Sequence, residues 1–270
     1  MGLHLYPIII RGVNPPVAGL LSRPTEEFRP LPTVIFFHGL NGSRSQVFQG
    51  RYQELAEALQ RLECNLLSVE LRGHGERREN KTQPAAQNLL RVIAHRTLNP
   101  FAGAMEDIAK IVEFTAEKKI APPEAIAVAG ISWGALSVFY ALHQEPRVLG
   151  GIALLPVCRI TDLLEFRRLQ GKAAVEQYDP IHFTSGIAPK PLLFITGEKD
   201  TRANPRYASE LYERLLPDYE AAGAASRLAY IMLPGAGHAY IPAMTAAVAD
   251  WIKTNLVEKC SREAPGGVVP

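Results

Sequence analysis

The sequence predicts an α/β protein with a mostly parallel sheet and helices on both faces. Short apolar runs rich in β-branched residues recur along the 270 residues, and segments with a helical spacing of apolar residues separate them. Strands that alternate with helices in this way pair in parallel through crossover connections. Hydrophobic residues make up 47% of the chain, which is enough to fill a large core. We therefore expect one domain over residues 1–258 and a flexible tail over 259–270, where Gly and Pro are frequent.

The first third of the chain supplies a hairpin and two interior strands. Apolar runs over 3–11 and 17–23 flank an Asn-Pro-Pro turn, which predicts an antiparallel hairpin at a sheet edge. Residues 33–37 are apolar on both faces, as is typical of a strand in the middle of a parallel sheet. A helix over 48–62 and a further strand over 65–70 follow from the same patterns.

The rest of the chain continues the alternation of strands and helices. After a long polar connection, the predicted elements are a short helix at 85–96, a helix at 102–119, a strand and helix around Ser132, a strand at 149–155, a partly helical excursion at 156–188, a strand at 191–196, a helix at 205–216, a strand at 227–233 and a helix at 240–256. The connection at 76–100 and the excursion are both candidates for a lid over a site.

The sequence around Ser132 carries the most specific signal. An apolar run of strand length enters Gly130-Ile131-Ser132-Trp133-Gly134 and leaves as a helical pattern. A strand, a sharp turn and a helix with serine at the apex is the arrangement that exposes a serine nucleophile. Gly130 and Gly134 meet the need for small residues where strand and helix pass close together. The alternative interpretation is a serine that only caps the helix.

Two later strand ends supply a candidate acid and a candidate base. Asp200 follows the strand at 191–196, and His238 lies on a Gly-rich loop after the strand at 227–233. Sites in such sheets form beyond the carboxyl ends of the strands, so both loops should lie at the same edge as Ser132. A serine nucleophile needs an imidazole to take its proton, and the imidazole needs a carboxylate to orient it. The chain order Ser132, Asp200, His238 is the one that this architecture requires.

Other acidic and imidazole side chains are weaker candidates for these roles. Glu198 precedes Asp200 in the same turn and should point elsewhere, and the remaining rivals lie in the excursion or the final helix: Asp162, Asp179 and Asp250. His38 and His74 lie on the same edge of the sheet, but both precede the serine in the chain. We expect these two histidines to shape loops through hydrogen bonds.

Acyl transfer also needs donors for a developing oxyanion. The backbone N–H of Trp133, directly after the serine, is one candidate, and the backbone N–H of Leu40, after the strand at 33–37, is the other. We expect the side chains of both residues to help form the wall of an acyl pocket. Core packing is the alternative for Trp133, and the two roles can hold together.

The composition excludes several function classes. A net charge of +2 gives no electrostatic case for binding nucleic acid or an anionic membrane. The three cysteines are odd in number and lack metal-ligand spacing, which favours reduced thiols in a cytoplasmic protein. We find no leader or membrane segment in the sequence and expect neither a metal nor a cofactor. The edge strand at 227–233 leaves a homodimer possible.

These motifs resemble the α/β-hydrolase family from about residue 30 to residue 256. The resemblance rests on five motifs in the family's order: His38-Gly39, Arg72-Gly73-His74-Gly75, Gly130-Ile131-Ser132-Trp133-Gly134, Gly197-Glu198-Lys199-Asp200 and Gly235-Ala236-Gly237-His238. The chain is most similar to small esterases related to dienelactone hydrolases and to the catalytic domain of prolyl oligopeptidases. This implies the α/β-hydrolase fold, an eight-stranded sheet with one antiparallel edge pair, and ester hydrolysis through an acyl-enzyme.

The sequence departs from the family's patterns at several points. Glu70 stands where many members have Asp, and a serine nucleophile disfavours dienelactone hydrolase and haloalkane dehalogenase activity. We see no propeller segment before the domain, which weakens a peptidase interpretation. The resulting expectation is an esterase for a small-molecule ester with a small to medium acyl chain. The alternatives are a thioesterase, an aminoacyl-peptidase, or a non-catalytic ligand-binding protein on the same fold.

Overall fold

The computed structural model describes residues 3–95 and 99–263. The strands in these ranges are β1 (Leu5–Ile10), β2 (Val17–Ser22), β3 (Thr33–Phe37), β4 (Asn65–Val69), β5 (Ile126–Ile131), β6 (Val148–Leu154), β7 (Leu192–Gly197) and β8 (Leu228–Leu233). The α-helices are α1 (Gln53–Arg61), α2 (Ala85–His95), α3 (Pro100–Glu117), α4 (Gly134–Gln144), α5 (Ala173–Glu176), α6 (Pro205–Ala221), α7 (Pro242–Ile252) and α8 (Glu258–Glu263). Within the two described ranges, every helix is too short or too polar to span a lipid bilayer.

The strands form a single sheet in the order β1-β2-β4-β3-β5-β6-β7-β8. In the part of the sheet that runs β4-β3-β5-β6-β7-β8, every strand is parallel to the strand next to it. The predicted hairpin is confirmed, since β1 and β2 pair in antiparallel fashion at one edge. The resemblance implied a single antiparallel pair at the edge of the sheet, but β2 and β4 also pair in antiparallel fashion. Strand β2 runs opposite to both of its neighbours, β1 and β4, and this direction produces the two antiparallel pairings.

The core lies on both faces of the sheet, as the strand sequences predict. All five residues of β3 are buried, with Ile35 and Phe37 on one face and Val34 and Phe36 on the other. Helices α3, α4 and α6 contribute apolar side chains to the first face, and α1 and α7 contribute them to the second. This double burial explains why the strand sequences are apolar without alternation.

Several boundaries differ from the sequence prediction. The region before α1 forms two short 3₁₀ turns over 46–52 instead of the first turns of a long helix. Helix α6 continues past Pro217 to Ala221, because its apolar face stays buried through Tyr219. The excursion contains 3₁₀ turns and only the four-residue helix α5.

The end of the chain is helical further than expected. After α7 a π-helical turn covers 253–257, and α8 then occupies residues 258–263, which include residues 259–263 of the segment that we expected to be a tail. The remainder of that segment, 264–270, lies outside the described residues.

Candidate active site

Ser132 occupies a sharp turn between β5 and α4. Its φ angle of 55° lies in the left-handed region, which few residues other than glycine adopt. A Cβ atom at Gly130 would collide with the carbonyl of Gly134, and one at Gly134 would collide with the carbonyl of Phe37. The two glycines therefore allow strand and helix to approach as closely as the turn requires.

Three loops bring Ser132, His238 and Asp200 together. The Nε2 atom of His238 lies 2.9 Å from the Oγ atom of Ser132, and its Nδ1 atom lies 2.7 Å from Oδ2 of Asp200. With the proton on Nδ1, His238 donates to Asp200 and accepts the hydroxyl proton of Ser132, which is the arrangement of a base oriented by an acid. The loops follow β5, β7 and β8, at the carboxyl ends of parallel strands.

The carboxylate of Asp200 is buried and firmly held. Its Oδ1 atom accepts hydrogen bonds from the backbone N–H groups of Arg202 and Ala203, both at 2.9 Å. These bonds occupy one carboxylate oxygen and leave Oδ2 for His238. The side chain of His238 is 18% exposed, so its ring can reach both the carboxylate and a substrate in the pocket.

The two candidate oxyanion donors belong to peptides close to Ser132. Trp133 follows it directly, and a Cβ atom at Gly39 would lie 3.8 Å from Cβ of Ser132, so the Gly39–Leu40 peptide passes beside the serine. In the described part of the chain, no hydrogen bond joins the N–H of Leu40 or of Trp133 to a protein acceptor. Both donors remain available for a ligand.

His38 and His74 support the loop that contains Leu40, as the sequence indicated. The Nδ1 atom of His38 lies 2.9 Å from the carbonyl of Gly39, and Nε2 of His74 lies 2.8 Å from the carbonyl of Leu40. Burial and the neighbouring His38 ring lower the pKa of His74 to about 4, so this imidazole is neutral at pH 7. Neither ring lies in the Ser132–His238–Asp200 chain of hydrogen bonds.

Glu70 lies directly beneath the same loop, at the position where many family members have Asp. It is buried, and one of its oxygens lies 3.2 Å from Nε2 of His38. Burial opposes its ionisation, but the neighbouring His38 ring and Arg44 lower the pKa of Glu70 overall. Glu70 therefore contacts the loop through His38 and Arg44.

A pocket of about 180 Å³ opens at Ser132. Its walls come from the loop after β3, the 3₁₀ turns, the ends of β5 and β6, and the two loops of the acid and base: Gly39, Leu40, Asn41, Gly42, Gln46, Tyr52, Ile131, Ser132, Leu155, Arg202, His238 and Tyr240. Leu40 is thus among the residues that line the pocket, as expected. The indole of Trp133 instead stacks on Phe166 at 5.0 Å between ring centroids, which is the core packing left open as the alternative.

Sequence reasoning missed several of these wall residues. Leu155 directly follows β6, and Arg202 comes two residues after Asp200. Their closeness in the sequence to a strand end and to the proposed acid could have indicated them. Tyr52 and Tyr240 contact each other with ring centroids 4.8 Å apart, although they come from distant segments. No pattern in the sequence connects those two residues.

The rival acids have other partners. Glu198 accepts a hydrogen bond from the N–H of Gly235 at 2.7 Å and so points away from His238, as expected. Asp179 accepts a hydrogen bond from the N–H of Ile160 in the excursion, and Asp162 accepts one from the N–H of Asn204 at the start of α6. Within residues 3–95 and 99–263, no three His, Cys, Asp or Glu side chains are grouped as a metal site would need.

Comparisons with solved structures show the same architecture. The protein TT1662 from Thermus thermophilus is 21% identical, with a TM-score of 0.72 over 95% of this chain and 99% of that one. The esterase Pf2001 from Pyrococcus furiosus is 19% identical, with a TM-score of 0.65 over 94% of both chains. The acylaminoacyl peptidase from Pyrococcus horikoshii is 17% identical, with a TM-score of 0.72 over 96% of this chain and 42% of the peptidase. At these identities the likeness concerns the fold alone.

The sequence comparison is more specific. Among curated proteins, none matches the chain. The family model described as the alpha/beta hydrolase fold matches residues 32–174, which is more than half of the chain and includes Ser132. The protein therefore belongs to the alpha/beta hydrolase fold family.

Proposed function

We propose that the protein is a serine hydrolase that cleaves carboxylic esters through an acyl-enzyme. The observation that carries this proposal is the continuous hydrogen-bond chain from Ser132 through His238 to Asp200, with distances of 2.9 and 2.7 Å. The neutral donors of Leu40 and Trp133 beside the serine add the second requirement of acyl transfer.

In the first half-reaction, Oγ of Ser132 attacks the ester carbonyl carbon while its proton moves to Nε2 of His238. The carbonyl oxygen becomes an oxyanion and accepts hydrogen bonds from the N–H groups of Leu40 and Trp133. The bond to the alcohol oxygen then breaks, and His238 returns its proton to that oxygen. Asp200 holds the imidazole in the required tautomer and stabilises its charged form.

In the second half-reaction, water replaces the alcohol. His238 takes a proton from the water as it attacks the acyl carbon, and the oxyanion forms in the same place. The bond between the acyl carbon and Oγ of Ser132 then breaks, and His238 returns its proton to Oγ, which releases the carboxylic acid and restores the hydroxyl of Ser132. Protein side chains and backbone groups supply every proton transfer in this sequence.

The pocket favours small to medium acyl groups. Its volume of about 180 Å³ is below the several hundred Å³ that a drug-sized ligand fills. The similar folds include an esterase and an acylaminoacyl peptidase, and this chain covers 42% of the latter. A thioesterase, an aminoacyl-peptidase and a ligand-binding protein remain the alternatives. We further propose a cytoplasmic location, because Cys64 and Cys158 are unpaired buried thiols.

Hydrolysis of p-nitrophenyl acetate, butyrate, octanoate and palmitate by the wild type and by Ser132→Ala tests the proposal. The wild type should hydrolyse the shorter esters, and the variant should lose about a thousandfold or more of kcat. Acyl-CoAs and aminoacyl-anilides, assayed in parallel, rank the alternative substrates.

A second pair of variants isolates the proposed acid. Asp200→Asn should lower kcat by orders of magnitude, because it removes the charge that fixes the imidazole tautomer. Glu198→Gln is the matched control in the same turn, and its activity should stay close to that of the wild type. A folded wild type without turnover on any ester, or an equally active Ser132→Ala variant, would refute the proposal.

A further inference from the structure

Leu155 has an unusual backbone conformation at the edge of the pocket. Its φ angle is 45°, in the left-handed region that costs a branched residue free energy. The next residue is Pro156, and the residue before a proline is normally confined to extended conformations. Two independent preferences are therefore violated at one position. Such outliers persist only where the surrounding structure fixes them.

Hydrogen bonds from both neighbouring strands fix this conformation. The N–H of Leu155 donates to the carbonyl of Ile195 at 2.7 Å, on β7. One residue earlier, the carbonyl of Leu154 accepts the N–H of Ser132 at 2.8 Å, and two residues later the N–H of Val157 donates to the carbonyl of Ser132 at 3.2 Å. The segment 154–157 thus holds the backbone of Ser132 from both sides. Any change at Leu155 is made directly beside the nucleophile.

The side chain of Leu155 lies between the core and the pocket. It is 2% exposed and packs in the apolar cluster on the face covered by α1 and α7. Leu155 is also one of the residues that line the pocket, together with Ser132 and His238. A glycine would adopt this backbone without penalty, but it would leave the wall open at this point. The chain thus keeps a leucine at position 155, next to Ser132, although its backbone conformation there is unfavourable for any residue except glycine.

We infer that Leu155 determines specificity by limiting the length of the acyl group that can occupy the pocket. This inference rests on the proposed ester hydrolysis and names its substrate class, esters of short-chain acids. The acyl group is the part of the substrate that stays bonded to Ser132 after the alcohol leaves. Leu155 lines the pocket, and its segment is hydrogen-bonded to the backbone of Ser132. Leu155 therefore stays beside the acyl group and confines it throughout both half-reactions.

The test compares acyl chain-length profiles of Leu155→Gly and the wild type. The ratio of kcat/KM for p-nitrophenyl octanoate to that for the acetate should rise about tenfold or more in the variant, since pocket contacts with methylene groups discriminate by such factors. Pro156→Ala is the matched control. It removes the restriction that proline imposes but keeps the leucine wall, so its ratio should stay within about twofold of the wild type.

Each outcome decides the inference. An unchanged ratio in Leu155→Gly, or an equal rise in Pro156→Ala, would overturn it while leaving ester hydrolysis intact. A wild type that is inactive on every ester would overturn it together with the proposed function. If Leu155→Gly does not fold, Leu155→Ala replaces it, with a smaller rise expected because a methyl group remains. A series of alkyl acetates, in which the alcohol varies, should give the same profile for Leu155→Gly and the wild type, and a broadened profile there would also contradict the assignment.

Discussion

The Nδ1 atom of His38 lies 2.9 Å from the carbonyl oxygen of Gly39, in the peptide that also contains the N–H of Leu40. The carbonyl and N–H of a trans peptide lie in one plane and point in opposite directions. A donor that fixes the carbonyl of Gly39 therefore also orients the N–H of Leu40. The N–H of Gly42 donates to the same oxygen at 2.8 Å. Two donors on the carbonyl also polarise the peptide, which strengthens its N–H as a donor. His38 is therefore a positioning residue for the proposed oxyanion site.

We expect His38→Ala to lower kcat by about 10- to 100-fold with little change in KM. The effect should be smaller than the 10²- to 10³-fold loss of a whole oxyanion donor, because the N–H of Leu40 is still present but less well oriented. His38→Asn should recover part of the rate, since its amide can donate to the carbonyl of Gly39. Steady-state kinetics on p-nitrophenyl acetate check this, and circular dichroism at the assay temperature verifies folding. A rise in KM alone would contradict the positioning role.

The buried carboxyl of Asp179 should make stability fall as pH rises. Burial raises its pKa from an ordinary value of about 3.9 to about 6, although the N–H of Ile160 donates to it. A group with a raised folded-state pKa contributes stability below its unfolded pKa, and that contribution is lost as pH rises through the folded pKa. The window is therefore about pH 4 to 6. Asp179→Asn keeps an acceptor for Ile160 and removes the titration.

The stabilisation by Asp179→Asn should thus be about 2 kcal/mol larger at pH 7.5 than at pH 4.5, at about 1.4 kcal/mol per pKa unit. Urea unfolding at the two pH values measures it. The control is Asp218→Asn, which neutralises an exposed carboxylate on α6. It should change the free energy of unfolding by the same small amount at both pH values. Equal effects of the two variants would show that the Asp179 carboxyl is not penalised by burial.

Much of this architecture follows from local patterns in the sequence. The strands of the parallel sheet are apolar because they are buried on both faces, and that property is visible in runs such as 33–37. The positions of Ser132, Asp200 and His238 follow from the rule that parallel strands end at one edge. These inferences need only the order of elements along the chain.

The features that escaped prediction depend on contacts between distant segments. Helix α6 continues through Pro217 because its buried face makes up for the lost hydrogen bond, which propensity alone does not show. The stacking of Trp133 on Phe166 could be predicted only by knowing the path of the excursion, which contains Phe166. The backbone of Leu155 is fixed by Ile195 and Ser132, so nothing in its own sequence window indicates a left-handed conformation.

Gly134 should tolerate no side chain. A Cβ atom there would overlap the carbonyl groups of both Phe37 and His38, which are backbone atoms of β3 and its loop and cannot move aside. We expect Gly134→Ala to lower the free energy of unfolding by about 3 kcal/mol or more, or to prevent folding. Gly171→Ala is the control, because open space surrounds Gly171, although its φ of 77° is itself unsuited to alanine. A cost of only about 1 kcal/mol is expected there. Similar denaturation midpoints for the two variants would contradict the close approach at Gly134.

Asp107 should be among the most important charged residues for stability. Its carboxylate accepts hydrogen bonds from Arg77 at 2.7 and 2.9 Å and from Arg72 at 2.7 and 3.3 Å, and all three side chains are largely buried. Arg77 also donates to the carbonyls of Glu70 and Pro15, so it joins the hairpin to the loop after β4. Removing the carboxylate charge leaves two buried cations without an anion.

We therefore expect Asp107→Asn to lower the free energy of unfolding by about 3 to 5 kcal/mol. The matched control is Glu113→Gln on the same helix, α3, whose exposed pair with Lys110 should contribute about 0.5 kcal/mol or less. Guanidinium chloride is unsuitable because it screens charge, so urea unfolding at low ionic strength is the measurement. Equal losses in the two variants would mean that the buried arginines find other acceptors once Asp107 is neutral. The larger loss expected in Asp107→Asn follows from burial, since both variants remove one negative charge from the same helix.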